Sequence, residues 1–187
     1  MVALFRGMLF QLSRQLQLIL QRRDTAELDR KDWRPMVLGV SKDTFRRPGA
    51  FDMVRWLAHR QGFGTYVHLI EGRLDARTFR SSIRAKQGLT DLGNAVRSRV
   101  SVSTIVSPSY TSAIAQSVQL PGISGQGNNA ILLEYIDEQP QSAQEMVTNY
   151  DLLRGSNLDL CLLRSSFRGF GERRSIHIWI TPEDSAN

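Results

Sequence analysis

Residues 36–41 read MVLGVS, residues 48–61 read PGAFDMVRWLAHRQ and residues 65–70 read TYVHLI. The first and third stretches are short, apolar and rich in β-branched or aromatic residues, as buried strands are. Between them Phe51, Val54 and Leu57 recur every third position, a helical period. Pro48 stands where a first-turn proline is tolerated, and Gly62 follows the helix end. A strand, a helix of about three turns and a second strand make one βαβ unit, whose two strands lie parallel.

The alternation continues outward from this unit. Further strands are predicted at 100–107, 130–136, 158–164 and 175–181, and helices at 75–97, 109–118 and 142–154. Asp75 can cap its helix, and Gly155 follows another helix end. Four helical crossovers thus join five of the strands. Crossovers of this length wind right-handed, so the expected fold class is α/β. It is a doubly wound, mostly parallel, Rossmann-like sheet with helices on both faces.

Ahead of this body, residues 1–28 read as one amphipathic helix. Phe5, Met8, Leu9, Leu12, Leu16 and Ile19 form an apolar stripe, while Arg6, Arg14, Arg22 and Arg23 precede the first acid, Asp24. Such a stripe must be covered, by the chain's own sheet, by a second chain's helix or by an anionic membrane surface. Arg6 and Arg14 interrupt the apolar character, so nothing here approaches the roughly 20 apolar residues that span a bilayer. The chain reads as soluble or peripheral. Its expected divisions are a linker helix at 1–31, an α/β domain at 32–164, and a loop with one strand at 165–187. Pro182, Glu183, Asp184 and Ser185 resemble a helix start with no helix after it, so the sequence reads as cut from something longer.

At 187 residues and 41% apolar content the chain can bury a sizeable core, which argues against disorder. The net charge of +6 favours acidic neighbours without specifying them. His59, His68, His177 and Cys161 are isolated and make no ligand pair for a metal. The run Gly122-Ile123-Ser124-Gly125-Gln126 lacks the closing glycine of a nucleophile elbow. With no paired acid, base or nucleophile in view, no catalytic residue is nominated and no enzymatic activity is expected.

Two stretches could meet phosphate, which makes ATP or another nucleotide the one ligand to consider. The first, with Gly122, Gly125, Gly127 and Asn128, resembles the glycine-rich loop of universal stress proteins, but it precedes a strand and has no Walker lysine. The second is 42–47, where Arg46 and Arg47 follow a strand and lead into a helix. Arg168-Gly169-Phe170-Gly171 opens like an RNA-recognition motif, but the charged Glu172, Arg173 and Arg174 break it. Nucleic acid is therefore not an expected partner.

Asp32-Trp33-Arg34-Pro35-Met36-Val37-Leu38, with Arg47-Pro48 and the helix of Phe51, Val54 and Leu57, resembles the cytosolic carboxyl-terminal domain of cation-chloride cotransporters. Bacterial amino-acid permease relatives share that domain. The likeness runs over roughly residues 32–181 and includes 62–72 as a second strand and 122–134 as an approach to a later one. It implies a regulatory and dimerisation domain following a transporter's last membrane helix, with residues 1–28 as the linker. Trp33, Arg34 and Pro35 would then fix the lead-in to the sheet. The implied partners are the transmembrane part of the same transporter and a second copy of the chain. A stand-alone nucleotide-binding protein of the universal stress type is the rival expectation.

Overall fold

A computed structural model describes residues 2–23, 34–122, 127–136, 140–165 and 170. Helix α1 (Val2–Arg23) comes first, then β1 (Met36–Ser41), α2 (Gly49–Leu57), β2 (Phe63–Glu71), α3 (Ala76–Ala95), β3 (Ser101–Ser107), α4 (Tyr110–Val118), β4 (Ala130–Ile136), α5 (Pro140–Gly155) and β5 (Asp159–Ser165). The five strands form one sheet in the order β3-β2-β1-β4-β5, and every pairing is parallel. This is the doubly wound α/β architecture expected from the alternation.

Strand β1 is central and buried along its whole length, which is why MVLGVS lacks a polar–apolar alternation. Its side chains still divide between two cores. Leu38 and Val40 join Ile131 and Leu133 beneath Tyr110 and Ile114 of α4 and Met146 and Leu153 of α5. Val37 joins Tyr66, Leu132 and Leu163 beneath Phe51 and Val54 of α2 and Leu89 of α3. Each such large apolar side chain contributes roughly 1.5–3 kcal/mol on burial. Gly39 is required where α2 crosses β1: a Cβ there would stand 2.6 Å from Val54 Cγ2 and 3.0 Å from the Tyr66 ring.

Local signals set several helix ends. Asp75 accepts from the N–H groups of Arg77 (2.7 Å) and Thr78 (2.8 Å), and Thr78 Oγ1 accepts in return from the Asp75 N–H. Those donors hold the Asp75 carboxyl below its ordinary range. Helix α2, expected to reach residue 61, ends at Leu57. The chain must turn back early because Phe63 N donates to Pro35 O at 2.8 Å, which starts β2 at Phe63 and not at 65.

Every described side chain of α1 is exposed, including Phe5, Met8, Leu9, Leu12, Leu16 and Ile19. Among the described residues, no helix is long and apolar enough to cross a membrane. The expected strand at 175–181, Trp33 and the loop residues 123–126 with Gly125 lie outside the described residues.

Candidate functional site

Crossovers leave β1 toward β2 and return to β4 on its other side, so the strand order reverses between β1 and β4. In open parallel sheets that reversal opens a crevice at the carboxyl ends of the two strands, the usual ligand position. Here the strands turn polar as they approach it. On the face covered by α2 and α3, Val37 gives way to Ser41, Leu132 to Glu134, Leu163 to Ser165 and Tyr66 to His68. Period two puts all four on one face; Ser41 and His68 are register partners, and Ser165 stands opposite Ile136, one step beyond Glu134.

Arg47, from the loop after β1, joins this group. Its Nη1 donates to Ser165 Oγ at 2.6 Å and approaches Glu134 Oε1 at 3.5 Å, while Nη2 donates to Asp43 Oδ2 at 3.0 Å. Ser41 Oγ donates to Glu134 Oε2 at 3.0 Å. Only 4% of the Arg47 side chain and 3% of the Glu134 side chain are exposed, so each charge depends on the other for compensation.

Two further groups flank this pair. Thr44 Oγ1 lies 3.0 Å from the Tyr66 hydroxyl and 2.9 Å from His68 Nδ1. Burial pushes Tyr66 up to about 12 and lowers His68 below its usual value, with Asp43 opposing the second shift. The Phe45 ring meets His68 edge-on at 5.1 Å. On the other side Lys42 Nζ donates to Glu145 at 3.0 and 3.1 Å and sits 5.7 Å from the centre of the Tyr110 ring. Tyr110, raised by burial, donates its hydroxyl to Val40 O at 2.7 Å.

Among the described residues the crevice is therefore occupied by side chains of the domain itself. Two cations, Lys42 and Arg47, face three carboxylates, Asp43, Glu134 and Glu145, a balance that opposes an anionic ligand. The space left beside Tyr110 and Ile136 is about 10 Å³, barely that of one water. Thr44 and His68 are in hydrogen-bonding contact, but Thr44 is 1% exposed and cannot meet a substrate in this state.

The two expected phosphate stretches are not brought together. Arg46 and Arg47 lie at the carboxyl edge, with Arg46 exposed and Arg47 buried in the network. Gly122, Gly127 and Asn128 precede β4 and so lie toward the amino edge, across a strand of six residues or roughly 20 Å. There Asn129 ties down the lead-in to β1: its Oδ1 accepts from Met36 N at 2.8 Å and its Nδ2 donates to Arg34 O at 2.7 Å. The carbonyls of Arg34 and Pro35 are thus both held, by Asn129 and by Phe63.

Sequence reasoning missed Ser41, Thr44, His68, Glu134 and Ser165 as a cluster. The available signal was a polar residue among the inward positions near the end of several strands, clearest for Glu134 inside AILLEYI. Cys161 is half-buried, and burial with Asp159 nearby keeps its thiol above the ordinary value. Among the described residues no cluster of histidine, cysteine or carboxylate side chains is suited to a metal ion. Neither a scan against protein-family models nor a search of the curated proteins finds a match for this chain.

Proposed function

We propose that this chain is a non-catalytic α/β domain that associates with a second copy and conveys conformational signals to the membrane part of a transporter, of the kind found in cation-chloride cotransporters and related amino-acid permeases. In the full-length protein it would sit on the cytoplasmic side of the membrane. The observation that carries the reading is that, among the described residues, the position where a doubly wound sheet ordinarily holds a ligand is occupied by Arg47, Glu134 and Ser165. Arg47 there joins the loop after β1 to β4 and β5 in one contiguous hydrogen-bonded network, the kind of path along which coupling travels.

The exposed apolar stripe of α1 supports the self-association half. Phe5 is 59% exposed, Met8 65% and Leu12 58%, which is apolar surface that a helix does not leave in water. A second copy of α1 would cover it with the same residues, as two-fold pairing requires. Replacing Leu12 and Leu16 with Glu is expected to shift the light-scattering mass from dimer to monomer while leaving the circular dichroism of the body unchanged. A chain already monomeric before substitution that sediments with anionic vesicles at low salt would sink the pairing and put the helix on lipid. The same preparation is expected to hydrolyse neither ATP nor simple esters.

A second reading, a stand-alone nucleotide-binding protein of the universal stress type, draws on the strand order 3-2-1-4-5. It requires Arg47 to release Glu134 on binding. Calorimetry with ATP separates the two: heat that vanishes when Arg46 is replaced would favour it.

A further inference from the structure

At the opposite, amino edge of the sheet a different surface forms. Helices that cross between parallel strands run back against them, so α2 and α3 both end beside the starts of β1, β2 and β3. Both returns place an arginine in the left-handed region, Arg60 at φ 68° and Arg97 at φ 50°, where glycine is the usual occupant. With Arg34, Arg55 and Arg99 they line a groove of about 960 Å³, and among the described residues no acidic one lines it with them. Small-molecule sites occupy roughly 300–1,000 Å³, so this groove is at the upper end of that range.

Arg55 is paired with Asp52 at 2.9 Å. Arg34, Arg60, Arg97 and Arg99 are exposed and form no ion pair among the described residues. Arginines at helix carboxyl ends are favoured by the helix dipole, which accounts for Arg60 and Arg97. It does not account for Arg34 and Arg99, which precede strands. Four guanidinium groups around one concavity, with no counter-ion among the described residues, repel one another and attract an ion with several negative charges. Guanidinium forks match phosphate oxygens in pairs. Phe63, 47% exposed at the start of β2, adds an aromatic ring to the same groove.

We propose that this groove binds a nucleoside polyphosphate, its phosphates on Arg34, Arg60, Arg97 and Arg99 and its base against Phe63. Sites for nucleic-acid strands string several aromatic rings along a track, and a bilayer meets a flat or convex surface; one ring in a concave groove fits a single nucleotide. The proposal goes beyond the transporter reading and does not depend on it, because it concerns the edge opposite the closed crevice.

Calorimetry on the full chain at about 0.15 M salt tests it, with ATP and with inorganic tripolyphosphate as probes. Arg99→Ala and Arg97→Gly are each expected to weaken both probes about tenfold, the loss for a charge-assisted hydrogen bond. Phe63→Leu should weaken ATP about tenfold and leave tripolyphosphate unchanged, since only the base stacks. Arg46→Ala, at the far edge, should change neither. Arg97→Gly should also raise the thermal midpoint by relieving the left-handed arginine, so its loss of affinity cannot come from unfolding. The idea is overturned if ATP gives no heat at millimolar concentration, or if Arg46→Ala weakens binding and Arg99→Ala does not. It is equally overturned if Phe63→Leu affects both probes alike, or if a single-stranded oligonucleotide or anionic vesicles bind through Arg99 and ATP does not displace them.

Discussion

Arg47→Met tests whether the switch point is held shut by charge. Methionine keeps much of the aliphatic stem and removes the guanidinium, so Glu134, 3% exposed, retains the Ser41 hydroxyl at 3.0 Å but loses its counter-ion. Ser165 Oγ loses its 2.6 Å donor at the same time. Breaking a buried pair from one side costs about 3–5 kcal/mol, a large part of the roughly 5–15 kcal/mol that stabilises a domain. Asp43 is 30% exposed, so water takes up its share and little is added there. With an urea slope of about 2 kcal/mol/M, the midpoint should fall by about 1.5–2.5 M. Adding Glu134→Leu removes the stranded carboxylate, so the double variant should be more stable than Arg47→Met alone. A single-variant loss below about 1 kcal/mol, or two losses that simply add, would refute the account of Arg47 and Glu134 as mutually dependent.

Other consequences are open to the same assay. Burial lowers His68 below the 6.5 it has in the unfolded chain, so the unfolded state takes up a proton that the folded site resists. Stability should be full above pH 6.5 and decline as pH falls through the depressed folded value, and His68→Gln should flatten that decline; an unchanged slope would rule the imidazole out. Gly39→Ala puts a methyl 2.6 Å from Val54 Cγ2, and overpacking of this kind costs about 1–3 kcal/mol; a neutral result would mean that α2 can move off β1 freely.

The legible part of the site was its chemistry by segment, and the illegible part was its assembly. Arg47 was visible as a cation after a strand, yet the sequence offered an external anion as its partner. Its real partners, Glu134 and Ser165, lie 87 and 118 positions away. Nothing in a one-dimensional pattern distinguishes a cation that greets a ligand from one that compensates a buried carboxylate. Glu134 in particular sits in AILLEYI, where apolar neighbours mask a single polar position whose face is set by the pairing of β4 with β1.

The sequence by itself determined the element types and the α/β class. Those depend on periods of two and three to four residues, on Asp75 as a cap and on Gly62 at a return, all of which act within a few positions along the chain. Tertiary structure alone decided the strand order, and with it where each loop falls. Once every strand is parallel, a loop that follows a strand belongs to one edge and a loop that precedes a strand belongs to the other. Arg46 and Arg47 were thereby placed at the opposite edge from Gly122 and Asn128, the other phosphate candidate. By the same rule Arg34, Arg60, Arg97 and Arg99, which share no local pattern, were gathered around one groove. The pairing of β4 with β1 is a contact between segments some ninety residues apart, and only the simultaneous burial of both faces of β1 selects it.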